Sequence, residues 1–337
     1  MQTREISGVT LRAIQSVLPG NIIGESFFSE LYGEKEVARI VKGTGIGSVR
    51  SADKATTTSD MISTAAKQLL AGLNIDACKV DGLIVVTQTP DDWSPGTAFA
   101  VHHKLDLAID CFTTDINAGC AGYVNGLIQA ASLVAAGVCR NVLLCTGDIN
   151  TRLLDDKDHQ VRMLFGDAAS ATLVTRGDDT WYFSCGADGS GRHHLGVRLD
   201  YAKRTGESAV VHSLKMDGAA VMSFALRRVP ETIKKLLKDR EMSKDDIDIF
   251  ALHQPNEFIL KYIRKILDIN EKKLPIDVDG IGNTNSSSIP VLLSRCEANS
   301  ENKHKKALLC GFGVGFSWNA LILDLSKTII APPMIIG

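Results

Sequence analysis

Five uninterrupted apolar runs of strand length constrain this chain more than any other feature: "DGLIVVTQT", "NVLLCTG", "SATLVT", "IDIFALHQP" and "KALLCGFGVG". None alternates with polar residues as a strand with one wet face would. Such runs suit strands covered on both faces, as in an α/β protein. Patterns with apolar residues three and four apart lie between them, over residues 59–73, 120–137, 219–238 and 256–268, and predict the covering helices. Gly72 and Gly137 stand where left-handed C-terminal caps belong. Ser243 opens "MSKDDIDIFALHQP" as a turn or cap before a strand.

The order of these segments repeats. Helix 59–73, the acidic turn and apolar run of "KVDGLIVVTQTPDD", a polar stretch and a small-residue helix at 120 come first. Helix 219–238, "DIDIFALHQPNEF", another helix and "GIGNTNSSSIPVLLSRC" follow in the same order. The chain has 337 residues, more than one core usually organises. Two similar halves are therefore expected, residues 1–175 and 176–337. With no Pro/Gly-rich linker between them, they should share one core.

Charge excludes some functions. A formal net charge of −2 and a pI near 6.5 leave no basic surface for nucleic acid. No stretch approaches a membrane span, and "MQTREISGVTLRAIQSVLPG" lacks a signal-peptide core, so a cytoplasmic protein without membrane insertion is expected. The eight cysteines show no CxxC or zinc-finger spacing; no metal is expected, and the thiols should stay reduced. Most lie in apolar runs, where cysteine behaves as a small hydrophobe.

Cys120 needs separate treatment. In "TTDINAGCAG" it sits where a strand-like run turns into a helical one. At a helix start, free N–H groups and the helix dipole would lower its pKa and favour the nucleophilic thiolate. The neighbouring Gly and Ala residues leave room for an acyl group; tight packing of a small residue is the competing reading. His253 ends the buried run of "IDIFALHQP", and strand ends of this kind are site positions in α/β folds. A neutral imidazole there could donate a hydrogen bond or accept a proton from a thiol. Asn283 and Asn285, in "GIGNTNSSSIP", suit turns and caps first, or amide donors beside His253. Gly311, Gly313 and Gly315 alternate, which is useful where backbone approaches a ligand; the Lys-Ser/Thr ending of a phosphate loop is absent. "GTGIGS" and "GADGSG" read as turns, and Asp167 as a structural turn carboxylate. His102, His103, His193, His194 and His304 fall in polar or loop-like segments.

Together "GTGI", "LIVVTQTP", "DINAGCAG", "LLCTGD", "FGDAASATLV", "GADGSG", "MDGAAVM", "LHQPN", "GNTNSSSIP" and "GFGVGFSWNAL" resemble, in order and over nearly the whole chain, the β-ketoacyl-acyl carrier protein synthase III family of thiolase-like condensing enzymes. The resemblance implies a five-layered α/β/α/β/α fold of two similar halves, in a homodimer. It implies Cys120 as the acylated nucleophile and His253 with Asn283 as the pair handling the malonyl thioester. The backbone N–H groups of Cys120 and Val314 would form the oxyanion hole. Acyl and malonyl thioesters of coenzyme A or acyl carrier protein are the implied substrates, with no further cofactor. Arg39 and Gly43 stand where the family commonly has a Trp and an Arg on coenzyme A, and Phe258 where it often has a carrier-contacting Arg. These departures point to a specialised fatty-acid or polyketide-type pathway. The resemblance leaves a second reaction open, transfer of the acyl group from Cys120 to an amine or hydroxyl. A non-catalytic partner subunit would not need an intact Cys-His-Asn set. Chemistry like that of HMG-CoA synthase would need an acid nearer the cysteine than Asp115.

Overall fold

The computed structural model describes residues 2–200, 210–211, 213–297 and 306–337; His304 lies outside them. Ten strands form one sheet: β1 (Arg4–Pro19), β2 (Gly82–Val86), β3 (Phe112–Ile116), β4 (Asn141–Asp148), β5 (Ala168–Ala187), β6 (Ile249–Leu252), β7 (Lys306–Gly313), β8 (Ser317–Asp324), β9 (Ile329–Ile330) and β10 (Met334–Ile336). Their order is β6-β7-β8-β5-β4-β2-β3, with β1 paired to β5, β9 and β10. Parallel pairing joins β3, β2 and β4 at one end and β6 with β7 at the other. The long strand β5, with β8 beside it, connects these ends. The first part of β5, residues 168–175, pairs with β4, and its last part, residues 182–187, pairs with β8. The position expected to divide the halves, 175/176, falls inside this strand, where its register against β1 shifts around Val9.

The central strands are buried on both faces, as their composition requires. In β2, Leu83 and Val85 enter one core while Ile84 and Val86 enter another; in β4, Leu143 and Cys145 alternate likewise with Val142 and Leu144. In β6, Ile249 and Ala251 join the same central core as Ile84, and Phe250 and Leu252 enter a third. Strand residues alternate in direction, so each run must be apolar at every position to serve two cores.

Helices cover those faces: α1 (Glu25–Tyr32), α2 (Glu34–Thr44), α3 (Thr58–Leu73), α4 (Thr97–Leu105), α5 (Gly122–Ala135), the short α6 (His159–Arg162), α7 (Gly218–Asp239), α8 (Glu257–Leu267) and α9 (Ser288–Glu297). The central core receives Tyr123, Leu127 and Ala131 from α5 and Ile289, Leu292 and Leu293 from α9. One outer core is closed by α3 and α4, through residues such as Ile62, Leu69 and Val101; the other by α7 and α8, through Phe224, Ile233, Leu260 and Ile263. Three helical layers thus alternate with two sheet halves, the five-layered arrangement expected. The repeated order of segments becomes a spatial repeat: α3 and α7, β2 and β6, α4 and α8, α5 and α9 occupy matching places. Each large side chain buried this way contributes about 1.5–3 kcal/mol, before the entropy of ordering it is subtracted. The helices α1, α2 and α6 form a smaller cluster with Phe165 and Leu195, around Phe28 and Val37.

Two expectations about helix ends resolve differently. Gly137 has φ +73 just past α5 and serves as the left-handed residue there. Gly72 is not a cap: α3 runs on to Leu73 and ends on Asn74, whose φ of 52 supplies the left-handed turn. Asn tolerates that conformation because its short polar side chain bonds locally. Ser243 caps a one-turn 3-10 helix as expected, its hydroxyl accepting from Asp245 N–H. Gly72 is therefore an exposed helical residue with open space at its Cβ position. Gly72→Ala should stabilise the protein by about 0.5–1 kcal/mol in urea unfolding, because Ala removes unfolded-state freedom at no steric cost.

Candidate active site

After β3 the chain turns at residues 117–121 and enters α5. Cys120 precedes the N-cap Ala121, and no side chain caps this helix. The thiol is 4% exposed and donates to Asn285 Oδ1 at 3.3 Å. Its sulfur also lies against two backbone N–H groups, those of Val314 and of Cys120 itself, both of which favour the thiolate. The close approach of β7 makes this possible. A Cβ on Gly313 would stand 2.7 Å from Cys120 Cβ and 2.9 Å from Sγ, and Gly313 has φ +154, so only glycine serves there. The expected lowering of the thiol pKa is not what the site produces. Burial outweighs the N–H donors and pushes Cys120 up to about 12.

His253 follows β6, its N–H donating to Cys310 O at 2.9 Å, which carries the ring to the edge of Phe312. Phe312 precedes Gly313, so the histidine and the cysteine flank the same end of β7. Burial lowers the imidazole to about 3, and the ring is neutral at physiological pH. Nδ1 lies 2.6 Å from Ser288 Oγ. With that hydroxyl donating, the ring proton sits on Nε2, which has no protein partner among the described residues. Asn283 is held by its backbone, donating to Leu164 O at 2.7 Å and accepting from Gly166 N–H at 3.1 Å. Its Oδ1 accepts the Asn285 N–H at 2.9 Å, leaving Nδ2 as the unused donor.

The loop from Asn283 to Ser288 therefore joins every part of the site. Asn285, with φ 51, turns its carboxamide onto the Cys120 thiol and onto Gln88 Oε1 at 3.3 Å and Asn150 Oδ1 at 3.4 Å. Ser286 donates through Oγ and N–H to Asp148 Oδ2, at 2.5 and 3.2 Å. Ser287 Oγ meets Thr146 Oγ1 at 2.8 Å, and Ser288 meets His253. Asp148 Oδ1 accepts the Gln88 N–H at 2.7 Å. Sequence reasoning singled out neither Gln88 nor Asp148, although both are polar residues closing apolar runs, the signal that picked out His253. Asp167 is the structural carboxylate expected, accepting from Ala52 N–H and from Thr151. Gly45 ends α2 in the left-handed conformation, the turn role expected of "GTGIGS".

A cavity of about 450 Å³ opens beside the cysteine, with Asn285, Val314 and Gln88 in its wall and Phe165, Leu195 and Leu214 on its apolar side. Arg39 pairs with Glu36 at 2.9 Å on the surface of α2, and Phe258 packs on Tyr262 with ring centroids 4.6 Å apart.

Asp148 carries a consequence for pH. It is 1% exposed, and burial raises its pKa to about 7 despite the donors from Ser286 and Gln88. A carboxyl raised in the folded state binds protons more tightly there than in the unfolded chain. Its contribution to stability is complete below the unfolded pKa and is lost as pH rises through the folded one. Between pH 5 and pH 8 the protein should lose roughly 2–3 kcal/mol more stability than Asp148→Asn does, read from urea unfolding at each pH. Parallel pH dependence in the two proteins would contradict the raised pKa.

This geometry accompanies similarity to known proteins. Residues 114–189 match the profile of 3-oxoacyl-[acyl-carrier-protein (ACP)] synthase III, and residues 237–325 that of its C-terminal part. A putative 3-oxoacyl-[acyl-carrier-protein] synthase 3 of Campylobacter jejuni is 34% identical over 315 residues, covering 89% of this chain and 88% of that one. The crystal structure of a 3-oxoacyl-(acyl-carrier protein) synthase from Burkholderia xenovorans superposes with a TM-score of 0.93 at 31% identity, over 99% of both chains. The priming β-ketosynthase of a polyketide biosynthetic pathway does so with a TM-score of 0.86 at 25% identity, again over 99% of each. The fold is thiolase-like, and the chain belongs to the 3-oxoacyl-[acyl-carrier-protein] synthase III family of condensing enzymes.

Proposed function

We propose that this protein catalyses a decarboxylative Claisen condensation between an acyl group carried on Cys120 and a malonyl thioester. The carrying observation is the meeting of two backbone N–H groups, from Cys120 and Val314, at the buried Cys120 sulfur. In the first half-reaction Cys120 Sγ bonds to the acyl carbon as the donor's C–S bond breaks, and the departing thiol leaves with the proton that Cys120 carried. In the second, the malonyl thioester loses carbon dioxide. The neutral His253, through Nε2, and Asn283, through Nδ2, donate hydrogen bonds to the thioester oxygen and stabilise the enolate. The enolate carbon attacks the acyl-Cys120 carbonyl, and the Cys120 and Val314 N–H groups bear the oxyanion until the Cys120 C–S bond breaks and the released sulfur takes up a proton from water.

The substrates are coenzyme A or carrier-protein thioesters, with no further cofactor. Arg39, Gly43 and Phe258 support a specialised fatty-acid or polyketide-type pathway, because a guanidinium held by Glu36 and an apolar Phe258 replace the family's usual contacts. Eight cysteines without CxxC spacing support a reducing, cytoplasmic setting, and no helix among the described residues is long and apolar enough to cross a membrane. A homodimer is supported by β3, an open sheet edge, with Phe99, Ile109 and Phe112 exposed around it. Light scattering should give a mass of about twice 36.3 kDa, and Ile109→Asp with Phe112→Asp should shift it towards the monomer. A monomeric parent protein would remove this part of the proposal.

Mutagenesis separates the two half-reactions. Cys120→Ala should show no acyl adduct by intact mass after incubation with acyl-CoA. His253→Ala and Asn283→Ala should still acylate, yet release carbon dioxide from malonyl thioester about 100-fold or more slowly. Unchanged carbon dioxide release in both variants, with acyl transfer to an amine or hydroxyl, would replace condensation by acyltransfer.

A further inference from the structure

The cavity beside Cys120 has an uneven lining. Its lining carries the apolar Phe165, Leu195 and Leu214, but also the carboxamides of Gln88, Asn150 and Asn285. Asn285 touches Sγ, and it is bonded in turn to Gln88 and Asn150. A Cβ placed on Gly119, the residue before the nucleophile, would lie 2.2 Å from Gln88 Oε1 and 2.5 Å from Asn285 Oδ1. These amides thus stand against the nucleophile's turn, with Asn285 at the sulfur itself, where an acyl chain on Cys120 begins.

Their hydrogen bonds are incompletely used. Asn150 is satisfied, its Nδ2 donating to Gly166 O at 2.9 Å. Gln88 accepts from Asn285 through Oε1, while its Nε2 donates to nothing among the described residues. Asn117, also in the cavity wall, is exposed and stays solvated. A plain alkyl chain would displace water from the half-buried Gln88 amide and leave it unpaired, at a cost that an oxygen on the chain would avoid.

We infer, on the reading of Cys120 as the acylated residue, that the acyl donor carries a hydrogen-bonding oxygen within its first few carbons. A 3-hydroxyacyl or 3-oxoacyl thioester fits, with any further chain on Phe165 and Leu214. Gln88 is then a specificity-determining residue: its Nε2 donates to that oxygen. Acylation itself runs as above, forming the Cys120 S–C bond and releasing the donor's thiol; the hydroxyl or keto oxygen takes no part in bond making.

The test is the rate of Cys120 acylation by intact mass, without malonyl thioester, for butyryl-CoA and each enantiomer of 3-hydroxybutyryl-CoA. One hydroxylated enantiomer should acylate at least about 10-fold faster than butyryl-CoA, and Gln88→Leu should reduce that ratio to near or below one. The ratio is taken within one preparation, so a smaller folded fraction in the variant cancels; Gln88→Met, which keeps the side-chain length and removes the donor, should lower the ratio likewise. Preference for butyryl-CoA in the parent protein would overturn the inference while leaving Cys120 as the nucleophile. An unchanged ratio in Gln88→Leu would overturn the assignment to Gln88 and leave its amide to the malonyl thioester. Acylation by none of the donors would overturn the nucleophile reading, and the inference with it.

Discussion

A single buried carboxylate joins the two halves of this site. Asp148 closes β4 in the first half, and its two oxygens divide their acceptance between the Gln88 N–H, at the end of β2, and Ser286, in the loop before α9. Without an acceptor there, two backbone N–H groups would be buried unpaired where three strands and a helix converge. The loop it anchors presents Asn285 to Cys120 and Ser288 to His253. Burial makes the carboxyl a weak acid, and the bonds it accepts pull the other way; its environment is a compromise between packing and hydrogen bonding.

Burial also sets protonation at the site. It pushes Cys120 towards the thiol and His253 towards the neutral ring. A thiolate–imidazolium pair would require two charges in a core with little to solvate them, and burial disfavours both. A neutral imidazole is suited to hydrogen-bonding an enolate oxygen. The two N–H groups at the sulfur are best used when negative charge develops on an oxygen beside it, because fixed dipoles stabilise charge without reorganising.

The legible parts of the site were polar residues in places where apolar ones belong. His253 stood out because it follows four buried residues of one strand, and Cys120 because small residues crowd a strand-to-helix turn. Gln88 and Asp148 obeyed the same rule and passed unnoticed, since a Gln or Asp at a strand end also reads as ordinary solvation. Asn285 was visible beside Asn283, but nothing in "GNTNSS" says which amide meets the thiol. That depends on the left-handed turn at Asn285, a backbone choice made by the contacts of its neighbours. The thiol pKa was misjudged for a similar reason: a helix start is readable, whereas the depth at which it is buried is not.

The sequence by itself determined the class of fold, since strands apolar at every position demand cover on both faces and the repeated order of segments demands two such halves. It also marked the cysteine, the histidine and the glycine that lets β7 approach the sulfur. Only the tertiary structure decided how residues 88, 120, 148, 253 and 285 meet, and so the ionisation of each and the polar wall of the cavity. Hydrogen-bond partners and solvation are properties of distance in space, and positions more than a hundred residues apart carry no local trace of the distance folding leaves between them.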